Sequence, residues 1–167
     1  MFLSKNASAQ ETTTTTKVEN YDHDFRLGFG LNGGLPIGFE KNGTQTDDVY
    51  DYSLGLDVRL QYNITQRYSV LFTTGFTNFF IGEGAKDLVI IPVKAGFKAF
   101  VWEDRFYVLT EFGGGFAVTN DYTKNTYMWA PGLGYANKSF DLSLRYEDYT
   151  EYDTNQIALR LAYGFKL

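Results

Sequence analysis

Cysteine is absent from the 167 residues, histidine occurs once and proline three times. The missing thiols remove any disulfide framework or thiolate metal site, whichever compartment the chain occupies. The lone His23 closes off most imidazole chemistry. No serine, histidine and acid set can be assembled around it, so no catalytic residue, metal ligand or cofactor is expected. A long hydrophobic run is also missing: the longest, LVIIPV from Leu88 to Val93, falls far short of the roughly 20 residues a membrane-spanning helix needs. Such a chain crosses a bilayer only as a closed barrel, which pairs every backbone N–H and C=O without help from water. With 20 acidic against 15 basic side chains and no basic stripe, nucleic-acid binding is disfavoured.

What is abundant points to strands. Aromatics make up 18% of the chain, with 13 Tyr and 15 Phe, beside 17 Gly. The length suits one domain. Residues 1–24 are read as the remnant of a secretory signal, from the small-residue run Ala7-Ser8-Ala9, followed by a flexible ETTTTTK lead-in. The barrel is assigned to residues 25–167.

Alternation is the main signal. In YDYSLGLDVRLQYNI, residues 50–64, the even positions are Tyr, Tyr, Leu, Leu, Val, Leu, Tyr and Ile. The odd positions are Asp, Ser, Gly, Asp, Arg, Gln and Asn, a sorting that no helix would make. The same period predicts eight strands over 25–39, 50–64, 68–80, 88–102, 105–119, 126–137, 140–149 and 155–167. Connections near 65–66, 103–104 and 137–138 are tight, and those near 40–49, 81–87, 120–125 and 150–154 are long and polar. Short turns at one rim and long loops at the other are the habit of outer-membrane barrels. The expected fold is therefore all-β, an eight-stranded antiparallel up-and-down transmembrane barrel. Its even strand count places both termini with the short turns on the periplasmic side and the long loops outside the cell.

The two parities differ in kind. One carries Leu54, Leu56, Val58, Leu60, Val70, Phe72, Phe76, Phe97, Phe112, Leu133, Leu144, Leu159 and their neighbours without a charged residue. The other carries Arg26, Asp57, Arg59, Lys94, Lys98, Glu111, Asp141, Arg145, Glu147, Arg160 and Lys166. With these charges lie Gly28, Gly30, Gly55, Gly75, Gly96, Gly113, Gly115, Gly132, Gly134 and Gly164, against Gly114 in the apolar set. An eight-stranded lumen is just wide enough to be filled by side chains, so long charged residues need small ones beside them. The charged parity is therefore placed inside and the apolar parity against lipid. A soluble lipocalin-like carrier would invert this, forcing the bulky set into a narrow core and leaving glycines on solvent-facing strands, where they weaken pairing.

Aromatics on the outward parity fall into two bands that suit the two headgroup layers. Tyr50, Tyr52, Trp129, Tyr146 and Tyr152 lie near the long-loop ends. Tyr62, Tyr68, Tyr135, Tyr163 and Phe165 lie near the short turns.

On this pattern, from Phe25 to Leu167, the chain resembles the small OmpA/OmpX-type outer-membrane barrels and, more loosely, the barrel-domain proteins of Bacteroidetes. The terminal AYGFKL is similar to the alternating end signal by which barrel-assembly machinery recognises its clients. It departs from the usual final Phe or Trp, ending in Leu167 with Phe165 two places earlier. The resemblance implies residence in the outer membrane among lipid, lipopolysaccharide and other outer-membrane proteins.

The inward charges are expected to pair across the lumen, since buried charges are tolerable only when paired and hydrogen-bonded. Leu71, Phe100, Tyr107 and Leu109, also inward, would obstruct the short-turn end. A static filling is the favoured reading, with a narrow, anion-leaning conduit as the alternative because basic residues outnumber acidic ones. The loops and their rims carry Glu40, Asp47, Asp48, Asp51, Glu83, Asp87, Asp121, Asp148, Glu151 and Asp153 against Lys41, Lys86 and Lys124. This acidic rim is read as solvated charge, with cation or basic-partner binding as the alternative. Pro92 and Pro131 cannot donate to a ladder, so a bulge or local break is expected at each. Trp102 falls on the inward parity, which predicts a slip near the end of the fourth strand. The expected function is that of a structural or interaction barrel whose loops or rim contact a partner such as a larger outer-membrane complex, a surface ligand or lipopolysaccharide. The alternatives are a small-solute channel and the soluble carrier.

Overall fold

The computed structural model describes residues 24–37, 50–80, 87–119, 125–152 and 154–167. Eight strands run in chain order: β1 (Phe25–Pro36), β2 (Tyr52–Asn63), β3 (Tyr68–Phe80), β4 (Leu88–Trp102), β5 (Phe106–Ala117), β6 (Thr126–Ala136), β7 (Phe140–Tyr149) and β8 (Thr154–Lys166). Each pairs antiparallel with its sequence neighbours, and β1 pairs with β8 to close the barrel, leaving no edge. All eight strands lie where the alternation places them, with ends within three residues of expectation. The segment before β1 and most of the long-loop acids lie outside the described residues.

Tight turns sit at one end. Between β2 and β3, the Thr65 hydroxyl accepts from the Arg67 and Tyr68 amides at 3.2 and 3.1 Å. Between β6 and β7, the Asn137 side-chain oxygen accepts from the Ser139 and Phe140 amides at 3.0 and 2.9 Å. These are the local side-chain bonds that favour Thr and Asn in turns. Between β4 and β5, Glu103 and Asp104 both adopt positive φ, 51° and 52°, and the Arg105 amide donates to the Trp102 carbonyl at 3.0 Å. Two central residues at positive φ make the hairpin turn whose twist matches the flanking strands, and glycine or asparagine adopts it at lower cost.

The parities separate as predicted. Leu54, Leu56, Val58 and Leu60 face outward while Ser53, Asp57, Arg59 and Gln61 are buried within. This arrangement overturns the soluble-carrier reading, which needs the leucine row at the centre and Arg59 in solvent.

The irregularities are those expected, with two refinements. A register shift between Phe100 and Trp102 turns Val101 and Trp102 both outward, so Trp102 is a surface residue. At the prolines the ladder breaks without bulging. β3–β4 pairing stops between Thr74↔Val93 and Thr77↔Ile90, and β6–β7 pairing stops between Trp129↔Asp148 and Gly132↔Arg145, each resuming in the same register. Pro92 and Pro131 still align with Gly115 and Thr110 on their other sides. Each ring therefore removes donors on one side only.

Two tests follow. Leu56, 46% exposed at the middle of β2, should lose about 2–4 kcal/mol of stability as Leu56→Arg, whereas Val101→Arg at the rim should cost about 0–1 kcal/mol, in equilibrium unfolding from lipid bilayers. Replacing Glu103-Asp104 by Asn-Gly should raise stability by about 1 kcal/mol in the same assay, because both positions hold left-handed backbone.

Candidate functional site

The lumen is filled in layers. At the long-loop end Tyr50, Phe79, Ile90, Met128 and Tyr149 form an apolar cap. Phe79 sits edge-on to both Tyr50 and Tyr149, at 4.8 and 5.1 Å between ring centres. Under this cap the Gln156 amide donates to Glu147 at 2.6 Å, and its oxygen accepts from the Ser53 hydroxyl at 2.6 Å and the Tyr50 hydroxyl at 3.2 Å. Near the short turns a second apolar group, Phe100, Tyr107, Leu109 and Ala136, lines the β4–β6 side of the lumen. Charged side chains occupy the space between.

Two carboxylate centres organise the charges. Glu111, on β5 and with no solvent exposure, accepts from Arg59 Nη2 at 3.0 and 3.1 Å, from the Thr73 hydroxyl at 2.6 Å and from Arg145 Nη1 at 3.1 Å. Arg145 also meets Glu147 at 3.2 Å, and Lys94 bridges Glu147 and Glu111 at 3.5 and 3.8 Å. The second centre is Asp57, held by Arg160 through Nε at 2.8 and 3.0 Å and Nη2 at 2.6 Å. Asp141 continues it, accepting from Lys98 and from the Tyr107 hydroxyl, each at 2.6 Å. Lys98 Nζ stands 3.8 Å from the centre of the Tyr107 ring, a cation–π contact. Asn32 joins the two centres, donating to Asp57 at 2.7 Å and accepting from Arg145 at 2.5 Å.

Room for these side chains comes from the residues beside them in the ladder. Arg59 lies opposite Gly28, Asp57 between Gly30 and Gly75, and Lys94 opposite Gly113. Glu111 lies opposite Gly96, Arg145 opposite Gly132 and Tyr107 opposite Gly134. A Cβ on Gly96 would stand 2.7 Å from Glu111 Cγ, and one on Gly132 would stand 2.8 Å from Arg145 Cγ. At Gly75 and Gly113 it would strike the neighbouring backbone itself. Asp141 has Ala136 and Ala162 as neighbours instead.

Nine of the eleven charges on the inward parity meet in this network. Arg26 stands apart at the short-turn mouth, where it donates to the Lys138 carbonyl. Lys166 is exposed and pairs with Asp24 outside the lumen. Thr73, Asn32, Gln156 and Tyr107 were not anticipated as partners, because a parity reading ranks residues by charge and passes over neutral hydrogen-bonding groups. The long-loop cap was also missed, although Phe79, Ile90, Met128 and Tyr149 share the inward parity and signalled it.

On the outside, Tyr52 stacks on Phe80 and Trp129 sits edge-on to Tyr146 at the long-loop end. The Trp129 indole donates to Asp148 at 2.8 Å. At the other end Tyr62 packs on Phe25, Tyr68 on Phe97, Tyr135 on Phe106 and Tyr163 on Phe140, with Phe165 near Phe29. Tyr50 corrects the expected outer band. It is 3% exposed and turned inward, because it precedes the start of β2 and is released from that strand's alternation. Tyr152, in the short 3-10 turn after β7, likewise packs toward the cap. Among the described residues, no group of three His, Cys, Asp or Glu side chains is placed to hold a metal ion.

A closed barrel with an apolar outside and an ion-paired inside defines a class: the small eight-stranded transmembrane barrel, the OmpA/OmpX type at the level of fold. Solved structures agree. Ail of Yersinia pestis, crystallised with the heparin analogue sucrose octasulfate, superposes with TM-score 0.57 at 15% identity, over 86% of this chain and 98% of that one. Neisserial surface protein A gives 0.54 at 9% identity, over 86% and 97%. The N-terminal barrel domain of Pseudomonas aeruginosa OprF gives 0.51 at 12%, over 84% and 97%. No family model and no curated protein matches the sequence.

Breaking the first centre should be costly. Glu111→Ala leaves Arg59 and Arg145 buried without their shared acceptor, and a loss of about 3–5 kcal/mol is expected in denaturant titration of the refolded barrel. Gly132→Val should lower stability by about 1–3 kcal/mol through overpacking against Arg145, measured in the same way.

Proposed function

We propose that this chain resides in a bacterial outer membrane as a non-catalytic barrel that works through its outer face and rims, as an interaction component of a larger outer-membrane assembly. The observation that carries this reading is the filled lumen. An ion-paired middle fills the barrel beneath an apolar cap at the long-loop end, with a second apolar group on the β4–β6 wall near the short turns. With the interior committed to closure, the surfaces left for function are the lipid-facing wall, the long loops and the turn rim.

In this reading both termini lie in the periplasm and the long loops outside the cell. The aromatic pairs at the two ends serve as girdles in the two headgroup layers, with lipid and lipopolysaccharide as constant neighbours. The loop segments are acidic, and this bears on partner choice. A sulfated sugar, of the kind crystallised with Ail, would meet like charge here, whereas a basic protein surface would be attracted.

Purified protein should give no steady single-channel current in planar bilayers. Steady currents abolished by Arg59→Gln or Glu111→Gln would establish the channel reading instead. Mild-detergent extraction of native membranes at natural expression should yield the barrel in a particle several times its own mass. A lone 19.0 kDa species in detergent would count against an accessory role.

A further inference from the structure

Among the described residues the buried charges do not balance. Arg59, Lys94, Lys98, Arg145 and Arg160 oppose Asp57, Glu111, Asp141 and Glu147, leaving one positive charge in excess, with Arg26 adding another at the mouth. A net charge inside a narrow lumen walled by lipid is expensive unless something neutralises it.

The excess can be located. Glu111 and Glu147 face Lys94, Arg145 and Arg59, whereas Asp57 and Asp141 are matched by Arg160 and Lys98. One of these three cations is thus in surplus at the Glu111 centre, and Arg59 is the one with an unmet nitrogen that carries two hydrogens. It is 3% exposed; its Nε donates to Thr73 and its Nη2 to Glu111, but among the described residues Nη1 has no hydrogen-bond partner. A buried guanidinium nitrogen carrying two hydrogens is rarely left without an acceptor.

Arg59 also lines a cavity of about 50 Å³ that opens toward the short turns. By the same measure about 10–15 Å³ suffices for one water, so the space holds several water-sized groups. Arg26, Arg59, Lys98 and Arg160 line it, against Asp141 as the one carboxylate. Arg145 Nε is also unpartnered, but the cavity beside it, toward the long loops, includes Asp57 and Glu147 and is balanced in charge.

From the charge excess, the unmet Arg59 donor and the cationic cavity, we infer that the short-turn half of the lumen is a binding site for one small anion. A halide ion and the carboxylate end of a small periplasmic molecule share this chemistry. The site neutralises the surplus cation, supplies the missing acceptor to Nη1 and is filled from the periplasmic mouth. It does not depend on the proposed role of the rims.

The full-length barrel in detergent should show a thermal midpoint that rises and then saturates with added chloride or acetate, but not with the bulkier gluconate at equal ionic strength. Arg59→Gln removes one positive charge, and Gly164→Val narrows the cavity at a position whose ladder neighbour is Gly28 and not a charged residue. Each should weaken the apparent anion affinity about tenfold or more. A response to chloride assigns the site to a free ion, and a response to acetate alone assigns it to a carboxylate. Equal responses to all three salts, or wild-type responses in both variants, would overturn the site.

Discussion

Everything in this barrel depends on holding nine charged side chains inside a wall of eight strands whose outer surface is hydrocarbon. Neither half of that arrangement tolerates exchange. A cation turned outward enters lipid, and a leucine turned inward would leave carboxylates without partners. The period of two along each strand imposes the choice at every residue, so a one-residue slip anywhere would move charges and hydrocarbon together to the wrong sides.

Glycine makes the crowded interior geometrically feasible. Each of Asp57, Arg59, Lys94, Glu111 and Arg145 has a glycine beside it across the ladder, so the long side chain lies down over bare backbone instead of competing with a second side chain. Glycine ordinarily weakens a strand. Here that local cost is offset by ion pairs that reach across the lumen and tie strands that do not touch in the sheet: β2 to β5 through Arg59 and Glu111, β2 to β8 through Asp57 and Arg160. The prolines fit the same logic. Each breaks one ladder for two residue pairs, and the register survives because Arg145 and Lys94, close to the breaks, are fixed by Glu111 and Glu147.

The architecture and the two faces were legible in the sequence because alternation is a one-dimensional signal: knowing that Arg59 is odd and Leu60 even settles which side each occupies. The ion-pair membership of Asp57, Glu111, Asp141 and Glu147 followed from the same parity. What parity does not carry is depth along the axis or direction beyond the strand ends. Arg26 and Lys166 share the inward parity, yet they lie at the mouth, where the first side bonds a turn carbonyl and the second turns out to Asp24. Tyr50 lies just outside β2, where alternation no longer applies, and folds over the lumen instead of joining the outer band. The neutral residues that complete the network, Asn32 and Thr73 above all, carry no sequence mark that separates them from other polar strand residues.

Layering has a consequence for function. A plug of ion pairs alone could rearrange by exchanging partners, since Glu111 already serves Arg59, Arg145 and Lys94 together. An apolar layer has no such exchange open to it. Moving the Phe79 and Tyr149 rings of the loop-end cap aside would expose hydrocarbon and break the hydrogen bonds of Tyr149 to Glu147 and Gln156. The loop-end cap therefore holds the charged middle from above. The cavity beside Arg59, by contrast, opens on the turn side, away from that cap.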